Sequence, residues 1–225
     1  MLEKWSEIWE FRTALYNSLA SYLLEMIQEE KKNVLTPNFW RNYPIEPANP
    51  HLEAGLEQLI TSTSELKKLS VEDALEQVAI EYTELFIGLA RPKAPPVESF
   101  YYTNKKSLFD VKTFEMKQML NKHGLESKRK GKQPEDHLGL KLLFIAVKTE
   151  QLHTLDPDKH SLVIGNQIIF INKHILSWIP ELCKDAKEHG TAGFYGGLIE
   201  LIWGTLIWDR ELLKEFIDTH NYVLQ

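Results

Sequence analysis

The sequence predicts an all-α fold, a single compact multi-helix domain without a β-sheet. Apolar residues recur at i, i+3, i+4 and i+7 along most of the 225 residues, which is the period of an amphipathic helix. No stretch of useful length alternates apolar and polar residues as a half-buried strand would. Helix-start signals also recur between the apolar stripes. We therefore expect one helical domain over residues 1–225.

Four helices are predicted in the N-terminal half. The first carries an apolar stripe from Trp5 to Ile27, in which Arg12 is the single charged residue. Two dipeptides, each a cap residue followed by proline, are predicted to start the next two helices. Proline suits the first helical position because it lacks an N–H, and an N–H at that position would have no partner within the helix. Serine followed by acids starts the fourth, because the helix dipole favours acids there. These starts are Thr36-Pro37, Asn49-Pro50, and Ser70 with Glu72 and Asp73.

Regular structure is predicted to stop at residues 91–106. This stretch reads RPKAPPVESFYYTNKK, and its three prolines exclude a helix interior through Pro96. A short helix over about 110–123 is predicted to end at Gly124, a residue that suits the left-handed position after a helix. Residues 124–133, GLESKRKGKQ, are polar, basic and punctuated by glycine. They predict a connector or hinge between the N-terminal and C-terminal helical halves.

The next predicted helix follows the connector and is apolar nearly all round. Pro134 is predicted to start a central helix, with Glu135 and Asp136 in its first turn. Apolar stripes predict the remaining helices at 164–179, with a kink or end at Pro180, at 194–208, and as a short amphipathic tail at 209–217.

Composition excludes several classes of function. The net charge of −6, from 26 basic and 32 acidic residues, argues against nucleic acid, which needs a basic surface to neutralise its phosphates. The single cysteine, Cys183, rules out an intrachain disulfide and a multi-cysteine metal site. The N-terminus lacks the pattern of a secretory signal, and the most apolar stretches are shorter than the ~20 residues of a membrane span. A cytoplasmic protein without an integral membrane segment is expected.

A search for catalytic motifs finds none. The sequence contains no phosphate loop, dinucleotide-binding turn, zinc-protease helix or serine-hydrolase elbow. Four glycines at residues 190–197 could present backbone N–H groups to an anion, but close packing is favoured because no lysine or hydroxyl stands at phosphate-loop spacing. Asp136 and His137 are consecutive and would point about 100° apart on a helix, so they form no dyad alone.

Two segments remain as candidate binding sites. EYTELF at 81–86 and APPVESFYY at 94–102 supply aromatic rings, a rigid proline turn and carboxylates. QPEDH at 133–137 has two interpretations. It is a well-made helix start, or it lines a groove with the proline turn, in which Glu98 and the Asp136-His137 pair are the polar contacts. The spacing alone leaves both interpretations open.

Five short motifs between residues 81 and 208 carry a resemblance to a known family. They are Tyr82-x-x-Leu85-Phe86, Pro95-Pro96-x-Glu98-Ser99-x-Tyr101, Pro134-x-Asp136-His137-Leu138, His174-x-x-x-Trp178-x-Pro180 and Phe194-Tyr195. In combination they resemble the TorD/DmsD family of cytoplasmic chaperones, which mature molybdenum-cofactor oxidoreductases exported by the twin-arginine route. The first eighty residues agree with that family only in being helical and rich in aromatic residues.

The resemblance implies a helical chaperone with no enzymatic activity, no cofactor and no metal. Its implied partners are a twin-arginine signal peptide and the precursor of a molybdenum-cofactor oxidoreductase, held until cofactor insertion and folding before export. Carried over position by position, the signal-peptide residues are Tyr82, Phe86, Pro96, Glu98, Tyr101, Pro134, Asp136 and His137. Two positions depart from the family pattern: Val97 stands where Trp is frequent, and Gln133 where Glu is frequent.

These residues suggest a binding mechanism. A receptor for a basic pair followed by an apolar segment needs an apolar groove beside carboxylates, and Glu98 and Asp136 are predicted to pair with the arginines. His137 is predicted to tune release, because the charge of histidine changes near neutral pH. The connector at 124–133 favours a monomer that also exchanges its C-terminal helices in a domain-swapped dimer. The alternative functions are a guanine-nucleotide-binding switch or weak nucleotide hydrolase, and a generic helical adaptor.

Overall fold

The computed structural model describes residues 2–88, 91–103, 106–126 and 133–221. Within these ranges the regular structure is helical and contains no β-strand, so the predicted all-α class is confirmed. The α-helices are α1 Leu2–Leu24, α2 Pro37–Arg41, α3 Pro50–Leu66, α4 Val71–Tyr82, α5 Glu98–Tyr102, α6 Val111–Lys122, α7 Leu138–Glu150, α8 His160–Ile171, α9 Ile179–His189 and α10 Phe194–Asn221. Short 3₁₀ turns lie at Glu29–Leu35, Gln151–His153 and Pro157–Lys159, and π-helical turns at Thr83–Ile87 and Asn172–Leu176.

Several predicted helix boundaries carry the expected caps. The Asn49 side chain accepts hydrogen bonds from the first N–H groups of α3, and Ser70 accepts one from the N–H of Asp73. Asp110 forms a capping box at the start of α6. Gly124, just after this helix, has a φ of +67°, a conformation that costs glycine little. Local sequence therefore sets these boundaries.

The central helix α7 begins later than predicted. It starts at Leu138, so the prediction of Pro134 at its first position is wrong. His137 is the cap, and its Nδ1 accepts the N–H of Gly139 at 3.0 Å. The backbone and side chain of Asp136 are bonded to other segments, which holds the preceding residues in a turn. Tertiary hydrogen bonds outweigh the local start signal here.

The C-terminal helices also differ from the prediction. The helical stretch before Pro180 ends at Leu176, so the predicted break lies a few residues earlier, and Pro180 itself lies in the first turn of α9. Its missing N–H costs nothing in that first turn. The helices predicted at 194–208 and 209–217 are one continuous helix, α10. No proline or glycine stands between Trp208 and Asp209 to interrupt it.

The chain divides into two compact units, which we call unit 1 and unit 2. Unit 1 consists of Met1–Leu24, Pro96–Ser177 and Arg210–Gln225, and unit 2 of Glu25–Pro95 and Trp178–Asp209. The connector predicted at 124–133 falls inside the middle segment of unit 1. Residues 127–132 of that connector lie outside the described residues.

The core of unit 1 forms where α1 packs along α7. The rings of Trp5 and Phe216 meet edge to face at 4.8 Å, a favourable aromatic geometry. Arg12, the charged exception in the α1 stripe, is fully buried and donates to Thr149 Oγ1 and Gln167 Oε1, each at 3.0 Å. Its position on the apolar face is explained by these buried acceptors.

The core of unit 2 forms where α3 and α10 pack at close range. A Cβ atom at Gly55 would lie 2.5 Å from the backbone nitrogen of Leu201, so only glycine allows this approach. The buried Trp40 ring meets Phe194 and donates its Nε1–H to the Val34 carbonyl at 2.7 Å. The Trp40 ring thus packs inside unit 2 with its polar atom satisfied.

Two further features concern membranes and metals. Within the described ranges, no single helix combines the length and the apolar composition needed to cross a membrane. The consecutive stretches Pro157–Leu176 and Ile179–His189 meet the test only when counted together, and by length and composition only. In the same part of the chain, no three His, Cys, Asp or Glu side chains converge in a way that could hold a metal ion.

Candidate functional site

Two sequence motifs that are about forty residues apart lie side by side in unit 1. Val97 and His137 form an isolated antiparallel bridge, and next to it the Leu138 N–H donates to the Pro96 carbonyl at 2.7 Å. The side chain of Val97 is buried. The proline turn and the Pro134-x-Asp136-His137 segment, which we call the PxDH motif, are therefore joined by backbone hydrogen bonds. That they line a groove for a ligand stays a prediction.

Asp136 joins three segments of unit 1. Its carboxylate accepts from the Ser99 N–H at 2.7 Å and from the Thr113 hydroxyl at 2.8 Å. Its carbonyl accepts the Glu98 N–H at 3.3 Å. The side chain is fully buried. Asp136 thus fixes the starts of α5 and α6 against the turn before α7.

Glu98 is the centre of a buried ionic cluster. Its carboxylate accepts a hydrogen bond from Lys141, lies 3.4 Å from the Nδ1 of His174 and 3.9 Å from the Nζ of Lys112. Lys141 also donates to the His174 carbonyl at 2.8 Å. All four residues are buried. The cluster links α5, α6, α7 and the π turn after α8.

The pKa values in this cluster are set by burial and by neighbouring charges. Burial alone would raise the pKa of Glu98, but the hydrogen bond with His174 and the charge of Lys141 outweigh it, so the pKa lies below its ordinary value. Burial lowers the pKa of Lys141 to about 8, although the Glu98 charge opposes that shift. The carboxylate and the ammonium group are therefore both charged at neutral pH.

The position of Gln133, one of the departures from the family pattern, has a structural explanation. Its side-chain Nε2 donates to the Leu24 carbonyl at 3.1 Å, and Leu24 is the last residue of α1. A glutamate has no N–H to donate. Glutamine therefore satisfies a C-terminal carbonyl of α1 that the frequent family residue could not.

In unit 2, the predicted residues Tyr82 and Phe86 form an aromatic group with Tyr195. The ring centroids are 5.0–5.4 Å apart, in edge-to-face arrangements. Tyr82 is buried, and Phe86 is half-buried in the π turn that follows α4. Gly88 ends this turn with a φ of +62°. Single π turns frequently occur at functional sites.

Glu81 closes the glycine-rich start of α10 from inside unit 2. Its carboxylate accepts hydrogen bonds from the N–H groups of Ala192, Gly193, Phe194 and Tyr195, at 2.7–3.2 Å. Burial raises its pKa, and these four N–H groups offset only part of the shift. The helix start does bind an anion, but the anion is an internal side chain. This role of Glu81 was not predicted from the sequence, in which the glycines were the available signal.

Exposed carboxylates lie on a different surface of unit 2, which we call the α4 groove. It has a cavity volume of about 510 Å³ and is lined by Glu76, Ala79, Ile80, Thr83, Glu84, Gly88, Arg91 and Lys93. Glu84 and Lys93 form an exposed ion pair at 3.2 Å. Glu76, Ile80 and Glu84 are spaced i, i+4 and i+8. This spacing is visible in the sequence, although the predicted site did not include these residues.

The structure thus places the predicted site residues in both units. Those of unit 1 are Pro96, Glu98, Asp136 and His137, which are buried, and Tyr101 and Pro134, which are half-buried. Those of unit 2 are Tyr82 and Phe86. The backbone contacts bring the buried four of unit 1 together. The two predicted arginine partners, Glu98 and Asp136, are already bonded to groups of their own unit.

Known proteins resemble this chain over most of its length. Proteins named "Chaperone protein TorD" match it from Aliivibrio salmonicida (28% identity over 167 residues, 73% of this chain and 76% of the relative) and from Photobacterium profundum (26% over 154 residues, 68% and 70%). The same name belongs to a relative from Vibrio parahaemolyticus (25% over 202 residues, 89% and 90%).

A family model also matches the chain. The family described as "Nitrate reductase delta subunit" matches residues 49–184, which is more than half of the chain. The match contains the proline turn and the PxDH motif that carried the resemblance in the sequence. The chain belongs to this family, that of the nitrate reductase delta subunit and the TorD chaperones.

Proposed function

We propose that the chain is a chaperone for the maturation of a molybdenum-cofactor oxidoreductase. It binds the twin-arginine signal peptide of that enzyme, the enzyme precursor, or both. It holds them until the cofactor has been inserted and the enzyme has folded, before export. The family and the relatives named TorD support the chaperone role. The signal-peptide step rests on the eight predicted residues and on the geometry of their surroundings.

One observation carries the proposal: the backbone joins the proline turn to the PxDH motif. The hydrogen bond from Leu138 to Pro96 and the bonds of Asp136 fix both segments. A rigid surface loses little entropy when it binds, so preorganisation favours affinity for a flexible peptide. Among the predicted site residues of unit 1, Tyr101 and Pro134 are half-buried, so these two retain solvent-accessible surface.

The buried and the exposed carboxylates take different roles in this proposal. Drawing Glu98 towards a client arginine would leave Lys141 buried without its partner, and breaking a buried pair costs about 3–5 kcal/mol. An exposed pair such as Glu84 with Lys93 contributes only about 0–1 kcal/mol, so it exchanges easily. We therefore assign the arginine contacts to the α4 groove of unit 2. Glu98 and Asp136 instead hold the proline turn and the PxDH motif together within unit 1.

No observation favours the catalytic alternatives. The Cys183 thiol is buried and donates to Glu200, and burial together with that carboxylate raises its pKa, so the reactive thiolate is disfavoured. The N–H groups at the glycine-rich start of α10 are already bonded to Glu81. Neither feature supports a nucleophile or a phosphate site.

Calorimetry with a panel of twin-arginine signal peptides tests the proposal. Each peptide is paired with a control in which both arginines are lysines. We expect the arginine form of the matching peptide to bind at roughly micromolar affinity or better, and at least about fivefold more tightly than its control, because lysine cannot make a bidentate contact. Equal binding of both forms in every pair, or a saturable heat with GTP, would contradict it.

A further inference from the structure

Unit 1 has an open apolar groove that the proposed function does not use. We call it the α6–α8 groove. It has a cavity volume of about 540 Å³ and is lined by Glu115, Gln118, Met119, Lys122, His123, Phe144, Ile145, Lys148, Leu162, Val163, Asn166, Gln167, Ile169, Phe170, Lys173 and His174. Leu162 and Ile169 are 69% and 62% exposed. Folding therefore leaves these large apolar side chains in water, which is typical of an interaction surface.

The groove runs lengthwise along α8. Leu162, Asn166 and Ile169 are spaced i, i+4 and i+7, so they share one face of α8, and Lys173 follows in the π turn. At 1.5 Å per residue, the two exposed apolar side chains are about 10 Å apart along the axis. Apolar anchors at i and i+7 of a docked helix have the same separation.

The rim of the groove is basic. Lys122 of α6, Lys148 of α7 and Lys173 of the π turn line it, and within the described ranges none of them has an ion pair with a carboxylate. Glu115 is the acidic residue among the described lining side chains, and it accepts a hydrogen bond from Lys112 at 2.8 Å. Burial and the charges of Lys148 and Lys122 lower the pKa of the neighbouring His123. The surroundings of the groove therefore favour an anionic partner.

Gln167 leaves a hydrogen-bond donor in the wall of the groove. Its Oε1 accepts from Arg12 at 3.0 Å, whereas its Nε2 has no hydrogen-bond partner in the described part of the chain. The residue is only 4% exposed. This buried donor is therefore unsatisfied within the described part of the chain, which is costly.

We propose that the α6–α8 groove docks an acidic amphipathic helix of a partner protein. The apolar face of that helix covers Leu162 and Ile169, and its Asp or Glu side chains pair with the lysines of the rim. The basic rim would repel a twin-arginine segment. The groove is therefore a second docking surface, which goes beyond the proposed function and does not depend on it.

Binding of designed peptides to the full chain tests this proposal. The probe is a fluorescein-labelled amphipathic helix of about five turns with leucine on one face and glutamate on the other, and its matched control has lysine in place of glutamate. We expect the glutamate peptide to bind at least about tenfold more tightly, with an affinity that falls as salt is added. The variant K122E/K148E/K173E should reverse this preference. Lys117→Glu, an exposed lysine of α6 outside the groove, should leave it unchanged.

Several results would overturn the proposal. They are equal binding of both peptides, a preference that survives the triple charge reversal, or an affinity unaffected by the variant L162S/I169S. Circular dichroism establishes that each variant is folded. A dimer abolished by the triple variant, or binding to phosphatidylglycerol vesicles without binding to the glutamate peptide, would assign the groove to a second copy or to a lipid surface instead. Binding of a twin-arginine peptide to the variant L162S/I169S, unchanged from wild type, separates this test from that of the proposed function, because this variant leaves the charge of the rim as it is.

Discussion

Two buried glutamates, one in each unit, come from neighbouring motifs but are stabilised by different means. Glu98 in unit 1 is 2% exposed and is bonded to Lys141 and His174. Glu81 in unit 2 is fully buried and accepts four backbone N–H groups at the start of α10. Charge balances the first carboxylate, and peptide dipoles balance the second.

The difference is visible in the pKa values. Burial acts to raise the pKa of both glutamates. The charged groups beside Glu98 outweigh burial and lower its pKa below the ordinary value. The N–H dipoles around Glu81 offset only part of the effect of burial, so its pKa stays raised. Both glutamates act within the molecule. The buried carboxylates of these two motifs therefore stabilise the surrounding structure, because groups of their own unit already occupy them.

The largest expected effect follows from removing the cation beside Glu98. The substitution Lys141→Met keeps the length and apolar stem of the side chain but leaves a buried carboxylate without its main partner. We expect the free energy of unfolding to fall by about 3–5 kcal/mol, measured by urea denaturation.

A double variant provides the control for this prediction. Adding Glu98→Gln to Lys141→Met should recover most of the lost stability, because the uncompensated charge is then removed. Lys68 is exposed and pairs with Glu65 at 2.6 Å. Changing it to methionine should lower the free energy of unfolding by less than about 1 kcal/mol. Losses of similar size at Lys68 and Lys141 would contradict the assigned role of burial.

The matching change in unit 2 is Glu81→Ala. It removes the acceptor of four N–H groups, and leaving a buried donor unsatisfied costs about 1–3 kcal/mol. We expect a loss of about 2–3 kcal/mol in urea denaturation, with increased amide hydrogen exchange at Gly193 and Tyr195. If exchange at these amides stays as slow as in the wild type, Glu81 does not cap α10.

The pH dependence of stability should have opposite signs for the two glutamates. The pKa of Glu98 is lowered, so its contribution is present above the ordinary value of 4.5 and is lost as pH falls through the lowered value. The pKa of Glu81 is raised, so its contribution is present below 4.5 and is lost as pH rises through the raised value.

Urea denaturation of the wild type, Glu98→Gln and Glu81→Gln between about pH 3.5 and 6.5 measures both signs. The stability difference between the wild type and Glu98→Gln should shrink towards acid pH. The difference between the wild type and Glu81→Gln should shrink as pH rises above 4.5. Parallel curves for the three proteins would show that neither carboxylate titrates differently in the folded state.

The sequence was sufficient for the helical class and for boundaries with local signals. Asn49, Ser70 and Asp110 cap their helices through residues within three positions, so a local reading of the sequence identifies them. The start of α7 was placed wrongly because Asp136 bonds to Ser99 and Thr113. Such long-range partners carry no local pattern.

The same limit applies to the candidate site. The motifs correctly indicated that the proline turn and the PxDH segment lie together in unit 1. They did not reveal that Lys141, on the first turn of α7, supplies the counter-charge of Glu98, because a lysine within an apolar helix reads as an exposed residue. Burial of a charge is a property of the packed structure, so exposed Glu84 and buried Glu98 looked equivalent in the sequence.

The smallest expected effect tests whether exposed Glu84 or buried Glu98 contacts the arginines of a signal peptide. Glu84→Gln should weaken the affinity for a twin-arginine signal peptide by roughly two- to fivefold, because an exposed charge contributes at most about 1 kcal/mol. Glu98→Gln should leave the affinity of the folded protein nearly unchanged while it lowers stability. Calorimetry at a temperature where both variants are folded measures the two affinities.

Glu65→Gln is the matched control, since Glu65 also forms an exposed ion pair in unit 2 but lies outside the α4 groove. If Glu65→Gln weakens binding as much as Glu84→Gln, the effect is one of overall charge. If Glu98→Gln weakens binding more than Glu84→Gln in protein that is fully folded, the buried carboxylate does contact the arginines. In that case binding must open the ionic cluster, and Lys141, with its pKa of about 8, would release a proton that calorimetry in buffers of different ionisation enthalpy detects.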